Sequence, residues 1–263
     1  MKALEALRRC HVPNPFSAPV YHTETASSTM DISRGLLSRG EPHGTVIAAD
    51  YQENGRGRIP GRLWQTEDKM SLPFTILLRY LKTENIPPAL TLRAGLALSL
   101  AIEEFSQCLR GHVKIKWPND IMINNKKAAG ILCESDGVNV HAGIGINIRQ
   151  KEFPDHLRER ATSIALAARV EIPESERFLL LEKALFHLHN ELQEKNAFNW
   201  ISRIEDRLYK KGEDIVFIDG APDSGRVIKG TLRGISANGE ILIASCGAKE
   251  KVESFVTGEL VFG

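Results

Sequence analysis

Cysteine is scarce and scattered: Cys10, Cys108, Cys133 and Cys246 are the only four in 263 residues, and no two form a C-x-x-C pair. That spacing argues against a disulfide framework and a zinc site, and reduced thiols in a cytoplasmic protein are the expectation. Charge of one sign is lacking as well. Lys and Arg number 34 against 33 Asp and Glu, so the chain has none of the basic excess that a nucleic-acid-binding face requires. Long apolar runs are also missing. The most apolar helical stretch, AGLALSLAI at 94–102, is too short to cross a bilayer, and the opening MKALEALRRC has no apolar h-region, so neither a membrane span nor a signal peptide is expected. Repeats and low-complexity tracts are absent. So are the common phosphate-binding motifs. No G-x-x-x-x-G-K-[ST] occurs, GRGRIPG sets its third glycine one residue too far for a dinucleotide fingerprint, and GIGINI (143–148) lacks the third glycine altogether.

What remains is an ordinary globular composition, 42% hydrophobic and 25% charged, with length enough for one large domain and one small one without staples. ETASSTMDISRGLLSRG predicts a helix from about Thr29 to Arg39, with Ser/Thr at its start and glycine after its end. GTVIAADYQ reads as a buried strand, and SLPFTILLRY as the next, with Pro73 keeping it from being a regular central one. PPALTLRAGLALSLAIEEFSQCLRG predicts a scaffold helix packed against a sheet. VKIKWPNDIMINNKKAAGILCES alternates as two strands joined at NNKK, VHAGIGINI supplies another, and 177–210 reads as helical. The character changes at Lys211. Short strands follow, with Asn238-Gly239 as a type I′ hairpin signal, which predicts a small β-barrel at 211–263 after a domain at 1–210. The fold class is therefore α+β, a mixed sheet flanked by helices with a C-terminal barrel.

Two clusters carry chemistry. ENGRGRIPGRLW (53–64) crowds Arg56, Arg58 and Arg62 among Gly55, Gly57 and Gly61. Glycine lets a backbone approach a ligand closely and arginine supplies a planar fork of donors, so the loop suits a wrapped anion. In KIKWPNDIMINNKKAAGIL, Pro118 holds Trp117 extended and leaves Asn119 and Asp120 projecting from a kink, with Lys116 and Lys127 on either side. An aspartate, an amide and two lysines in one corner could hold Mg²⁺ and a polyphosphate. Read alone, the same residues describe a solvated hairpin with a proline-induced bulge. His187 and His189 lie two apart on a helix, face different ways and read as bland.

SSTM (27–30), YQENGRGR (51–58), KWPND (116–120), KKAAGIL (126–132) and GIGINI (143–148) occur together and in order. With the ending ESFVTGELVF they resemble the biotin protein ligases, biotin–[acetyl-CoA carboxylase] ligases, over nearly the whole chain from Tyr21. The resemblance implies a mixed sheet related to class II aminoacyl-tRNA synthetase cores and an SH3-like C-terminal barrel. It implies activation of biotin by ATP with Mg²⁺, then transfer to a lysine of the biotin carboxyl carrier protein of acetyl-CoA carboxylase or a related carboxylase. By similarity Ser28, Thr29, Met30 and Gln52 would surround the ureido ring. Gly55, Arg56, Gly57 and Arg58 would close over the carboxylate and α-phosphate, Lys127 would bridge the two, and Gly130 would let the backbone approach. Lys116, Trp117, Asn119, Asp120 and Arg62 map onto the nucleotide and metal corner, with Asp120 the metal candidate, and Asn147 would meet the adenine. Arg58, Lys127, Lys116 and Asp120 are the implied catalytic set.

The sequence departs from the family in two places. IPGRLW inserts one position, with Pro60, between GRGR and the tryptophan, which puts Arg62 in question as a triphosphate contact, and Met30 stands where some members have asparagine. Some members carry an N-terminal winged helix-turn-helix and repress transcription; the stretch before Tyr21 is too short for one, so no DNA binding is expected. Dimerisation varies in the family, and a homodimer is one state it allows. Two alternatives stay open: a lipoate or octanoate ligase, in which GRGR and KWPND do not usually occur together, and a non-catalytic module binding a ligand or RNA through the basic loop.

Overall fold

The computed structural model describes residues 5–64, 67–220, 225–245 and 251–261. Its main sheet has eight strands: β1 (Arg8–Cys10), β2 (Val20–Ala26), β3 (Thr45–Gln52), β4 (Ser71–Arg79), β5 (Val113–Lys116), β6 (Asp120–Ile123), β7 (Lys126–Asp136) and β8 (Asn139–Asn147). Their order is β1-β2-β3-β4-β8-β7-β6-β5. Helix α1 (Thr29–Ser38) makes the crossover between β2 and β3, the one parallel pair; the other neighbours run antiparallel.

The two faces of this sheet differ. On one lie α2 (Leu90–Phe105), α5 (Glu176–Gln193) and α6 (Ala197–Glu205), over a continuous apolar core that takes Ala142, Ile144 and Ile146 from β8. Helix α2 with its 3₁₀ lead, 83–105, is long and apolar enough to pass for a membrane span, but it is mostly buried and its Gly95 lies flat against Ile115, Ile121 and Ile131, as in a core helix. On the other face α1 sets Ile32 and Leu36 against Ile47 and Ala49. Because strand residues alternate sides, the same β8 presents His141, Gly143, Gly145 and Asn147 to the α1 side. Two glycines there leave a hollow beside α1. Between β8 and α5 run two short helices, α3 (Asp155–Arg158) and α4 (Ile164–Ala168). A buried ion pair locks α5 to the sheet: Arg177 Nη2 donates to Asp50 Oδ1 at 2.7 Å, and His22 Nε2 shares that oxygen at 2.9 Å.

The C-terminal strands β9 (Asp214–Asp219), β10 (Arg226–Ile235), β11 (Ile241–Ser245), β12 (Val252–Phe255) and β13 (Glu259–Leu260) form an antiparallel sheet in the order β12-β11-β10-β9-β13. It is consistent with an SH3-like domain, although no ladder between β12 and β13 closes a barrel among the described residues. Cys246 lies outside the described residues; Cys10, Cys108 and Cys133 are free thiols.

Three local expectations need correction. Pro73 sits in a regular nine-residue strand at the centre of the sheet, paired with Gly145; the β3 ladder ends at Ala48–Phe74, so Pro73 has an unpaired flank where a missing donor costs no ladder bond. Trp117-Pro118-Asn119 is not a kink within one strand but the turn of a hairpin that pairs Lys116 with Asp120, and its Trp117–Pro118 bond is cis. The two-residue turn with both φ angles positive falls at Asn124 and Asn125 (49° and 66°), whereas at Asn238-Gly239 only the glycine is left-handed and five residues connect the strands.

Candidate active site

The hollow beside α1 is closed on the β3 side by neutral hydrogen bonds. Gln52, the last residue of β3, accepts at Oε1 from the Thr29 backbone N–H (2.8 Å) and from Thr29 Oγ1 (2.9 Å), and Thr29 Oγ1 in turn meets Thr75 Oγ1 at 2.8 Å. All three are buried. Ser28 has the extended backbone of an N-cap, yet its side chain makes no capping bond, and its buried hydroxyl lines the hollow instead. Met30 lays its sulfur over Gly143 on the floor. The result is a small cavity of about 60 Å³, bounded also by Arg56, Gly57, Arg58, Lys127, Gly130 and Leu132.

The glycine-arginine loop folds across it as a narrow hairpin. Trp64 N–H donates to Gly55 O (2.8 Å) and Gly57 N–H to Arg62 O (2.9 Å). The inserted residue is absorbed at the tip, where Arg62 N–H closes onto Ile59 O (3.0 Å) and Gly61 takes φ +82°, the pattern of a type II turn with proline second and glycine third. Gly55 cannot be replaced freely: a Cβ there would meet Trp64 O at 2.5 Å and Gln52 Nε2 at 2.9 Å. Trp64, which sequence reasoning passed over as a functional group, turns its indole onto the faces of Gly130 and Gly145, with Lys127 Nζ 5.6 Å from the ring centre.

Beyond the loop lies a wide groove of about 870 Å³ that includes Arg62, Lys116, Trp117, Asn119, Asp120, Asn147 and Glu259. It shares Gln52, Gly57, Arg58, Trp64, Asn119 and Lys127 with the small cavity. Lys127 Nζ pairs with Asp120 Oδ1 at 2.6 Å. Burial pushes the Lys116 ammonium down to about 8 against the pull of Asp120 and Glu259. Asn119 donates to Ile131 O (3.0 Å), and Asn147 donates to Thr162 O (3.1 Å) while accepting from Gln150 (3.2 Å), so both amides brace the groove wall.

The C-terminal sheet reaches this groove. Arg58 Nη2 donates to Gly258 O (2.9 Å), Arg62 Nη1 to Glu259 Oε1 (2.9 Å), and Trp117 Nε1 to Gly239 O (2.9 Å). Arg56 points the other way, to Asp31 on α1 (2.8 Å). The arginines of one loop are thus anchored to opposite ends of the site. Of the residues singled out from sequence, the small cavity gathers Ser28, Thr29, Met30, Arg56 and Gly130, the groove gathers Arg62, Lys116, Trp117, Asp120 and Asn147, the wall between holds Gln52, Gly57, Arg58, Asn119 and Lys127, and Gly55 lines neither. Thr75 and Glu259 were missed. A lone threonine in PFTILL was a visible signal; TGEL carried none.

For a metal, the donor set is thin: among the described residues no group of three or more His, Cys, Asp or Glu gathers. Asp120 is a single carboxylate already holding a lysine. That suits a magnesium ion delivered on phosphate oxygens and not one caged by protein.

Residues 23–150 match the Biotin/lipoate A/B protein ligase family. Among similar proteins are the bifunctional ligase/repressor BirA of Bacillus subtilis, 40% identical over 160 residues that make up 57% of this chain and 46% of that one. The biotin–[acetyl-CoA-carboxylase] ligase of Mycobacterium tuberculosis is 30% identical over 145 residues, 54% of this chain and 52% of the relative. The matches thus span about half the length of these curated relatives. A solved biotin protein ligase of Aquifex aeolicus, in complex with biotin and ATP, superimposes with a TM-score of 0.75 at 28% identity, covering 92% of this chain and 97% of that one.

Proposed function

We propose, from the match of residues 23–150 to the Biotin/lipoate A/B protein ligase family, that the protein is an ATP-dependent biotin–protein ligase. A biotin carboxylate oxygen bonds to the α-phosphorus of ATP as the bond to pyrophosphate breaks, giving biotinyl-5′-AMP. A lysine amine of a biotin carboxyl carrier protein then attacks the acyl carbon, AMP leaves, and the amine loses its proton. The reading assigns this chemistry to residues 1–210, with 211–263 bracing the nucleotide end, in the cytoplasm.

One observation carries the reading: the small cavity and the wide groove share a wall that holds Arg58 and Lys127. A carboxylate entering from one side and a phosphate from the other would repel; two cations placed between them offset that repulsion and stabilise the charge that develops as they join. In the cavity, Ser28, Thr29 and Gln52 supply hydrogen bonds for a ureido ring, which would otherwise be desolvated without return. Met30 and Gly143 supply the apolar floor. Lys116, Asn119, Asp120, Arg62 and Asn147 line the nucleotide groove, and Mg²⁺ would arrive on the phosphates and screen their charge, with Asp120 the carboxylate at hand. A mixed anhydride is destroyed by water, so a loop folded across it serves the chemistry.

The test is exchange of labelled pyrophosphate into ATP, with biotin, lipoate or octanoate as the added acid. Exchange that requires biotin supports the reading. Exchange with lipoate or octanoate alone would move the chain to the other branch of the family, and none with any acid would overturn it.

A further inference from the structure

Arg56 sits in a ring of four charges with Asp31, Arg34 and Glu134. Its Nη1 donates to Asp31 Oδ1 at 2.8 Å, and its Nε stands 3.9 Å from Glu134 Oε1. Arg34 closes the ring, donating from Nη1 to Asp31 at 2.9 Å and from Nη2 to Glu134 Oε2. The four residues come from three places: the first turns of α1, the loop, and the far half of β7. Arg56 also lines the small cavity, and its Nε and Nη2 are buried without a hydrogen-bonding partner. A guanidinium offers five donors in a rigid fork. Here the ring takes one of them firmly and leaves the three on Nε and Nη2 buried and unsatisfied, a costly arrangement unless something enters to accept from them.

We infer that Asp31 and Glu134 are positioning residues that hold the Arg56 fork at the cavity for the carboxylate of the acid substrate. This rests on the proposed function for its substrate, not for its geometry. The two acids balance Arg34 and Arg56, so the ring adds little net charge to the cavity and acts through orientation. A long side chain frozen before binding loses no further rotamer freedom when the ligand arrives. All four side chains are partly exposed, which makes the ring a weak contributor to stability and allows its effect on binding to be read separately.

Calorimetry of biotin binding to the full chain, together with thermal unfolding and the KM for ATP, tests this. Asp31→Ala should weaken biotin about tenfold and Glu134→Gln about threefold, the range of partly exposed charge-assisted hydrogen bonds. Asp31→Glu should restore most of the loss, with Tm and the KM for ATP at their wild-type values throughout. Wild-type affinity in Asp31→Ala would overturn the inference, as would a loss that tracks Tm and moves the KM for ATP in parallel. Wild-type protein that does not bind biotin at all would overturn the proposed function itself, a different signature.

Discussion

The cavity end of the site and the groove end are built on different terms. At the cavity end Thr29, Gln52 and Thr75 satisfy one another through short neutral hydrogen bonds within one sheet and its crossover helix, and all three are buried. At the groove end the charged groups lean on a second sheet: Arg58 on Gly258, Arg62 on Glu259, and the Lys116 corner on Gly239 through Trp117. On the proposed reading the first is a mould for a neutral ring, and the second is a set of groups resting on borrowed acceptors that a polyphosphate would replace. Those two designs would suit the binding of a small acid and the exchange of a large anion.

The sharpest way to break this contrast is at the wall the two ends share. Lys127→Ala should lower pyrophosphate exchange by about 10²- to 10³-fold, as removal of one preorganised electrostatic group does, and retain biotin binding; an effect on KM alone would mean that Lys127 serves only one end. Next in size, Gln52→Ala strips Thr29 of its acceptor and should raise the KM for biotin by about tenfold or more while leaving that for ATP alone, since a buried group left unpaired costs about 1–3 kcal/mol. Trp117→Phe removes the donor to Gly239 and should do the converse, raising the KM for ATP by about three- to tenfold for one hydrogen bond lost. The smallest effect is one of pH. Because burial depresses the Lys116 ammonium from 10.5 to about 8, its charge is lost as pH rises through about 8, and the KM for ATP should rise there in wild type and stay flat in Lys116→Arg. Stability moves in the opposite sense. Between about 8 and 10.5 the unfolded chain holds the extra proton, so the cost of burying this lysine fades as pH rises.

Much of the cavity end was legible in the sequence because it is local. The alternation in VHAGIGIN already separates a core face of valine, alanine and isoleucine from a face of histidine and glycine, and SST before an amphipathic run marks the start of α1. The insertion with Pro60 was legible only as a difference; that Pro60-Gly61 would turn it into a tight tip follows from turn chemistry once the hydrogen bond from Arg62 to Ile59 is known. The groove end was harder. Gly258 and Glu259 lie about two hundred positions from the arginines they hold, and no local pattern reports a contact made between sheets. Pro73 misled for the same reason: its cost depends on where the neighbouring strand stops, which is a tertiary fact.

The most direct test of the shared wall is a crystal structure with a hydrolysis-resistant analogue of biotinyl-5′-AMP. The account predicts the bicyclic ring between Thr29 and Gly143, the adenosine in the open groove, and the phosphate within hydrogen-bonding distance of Arg58 and Lys127. A phosphate held elsewhere, or the ring lying in the open groove, would contradict it.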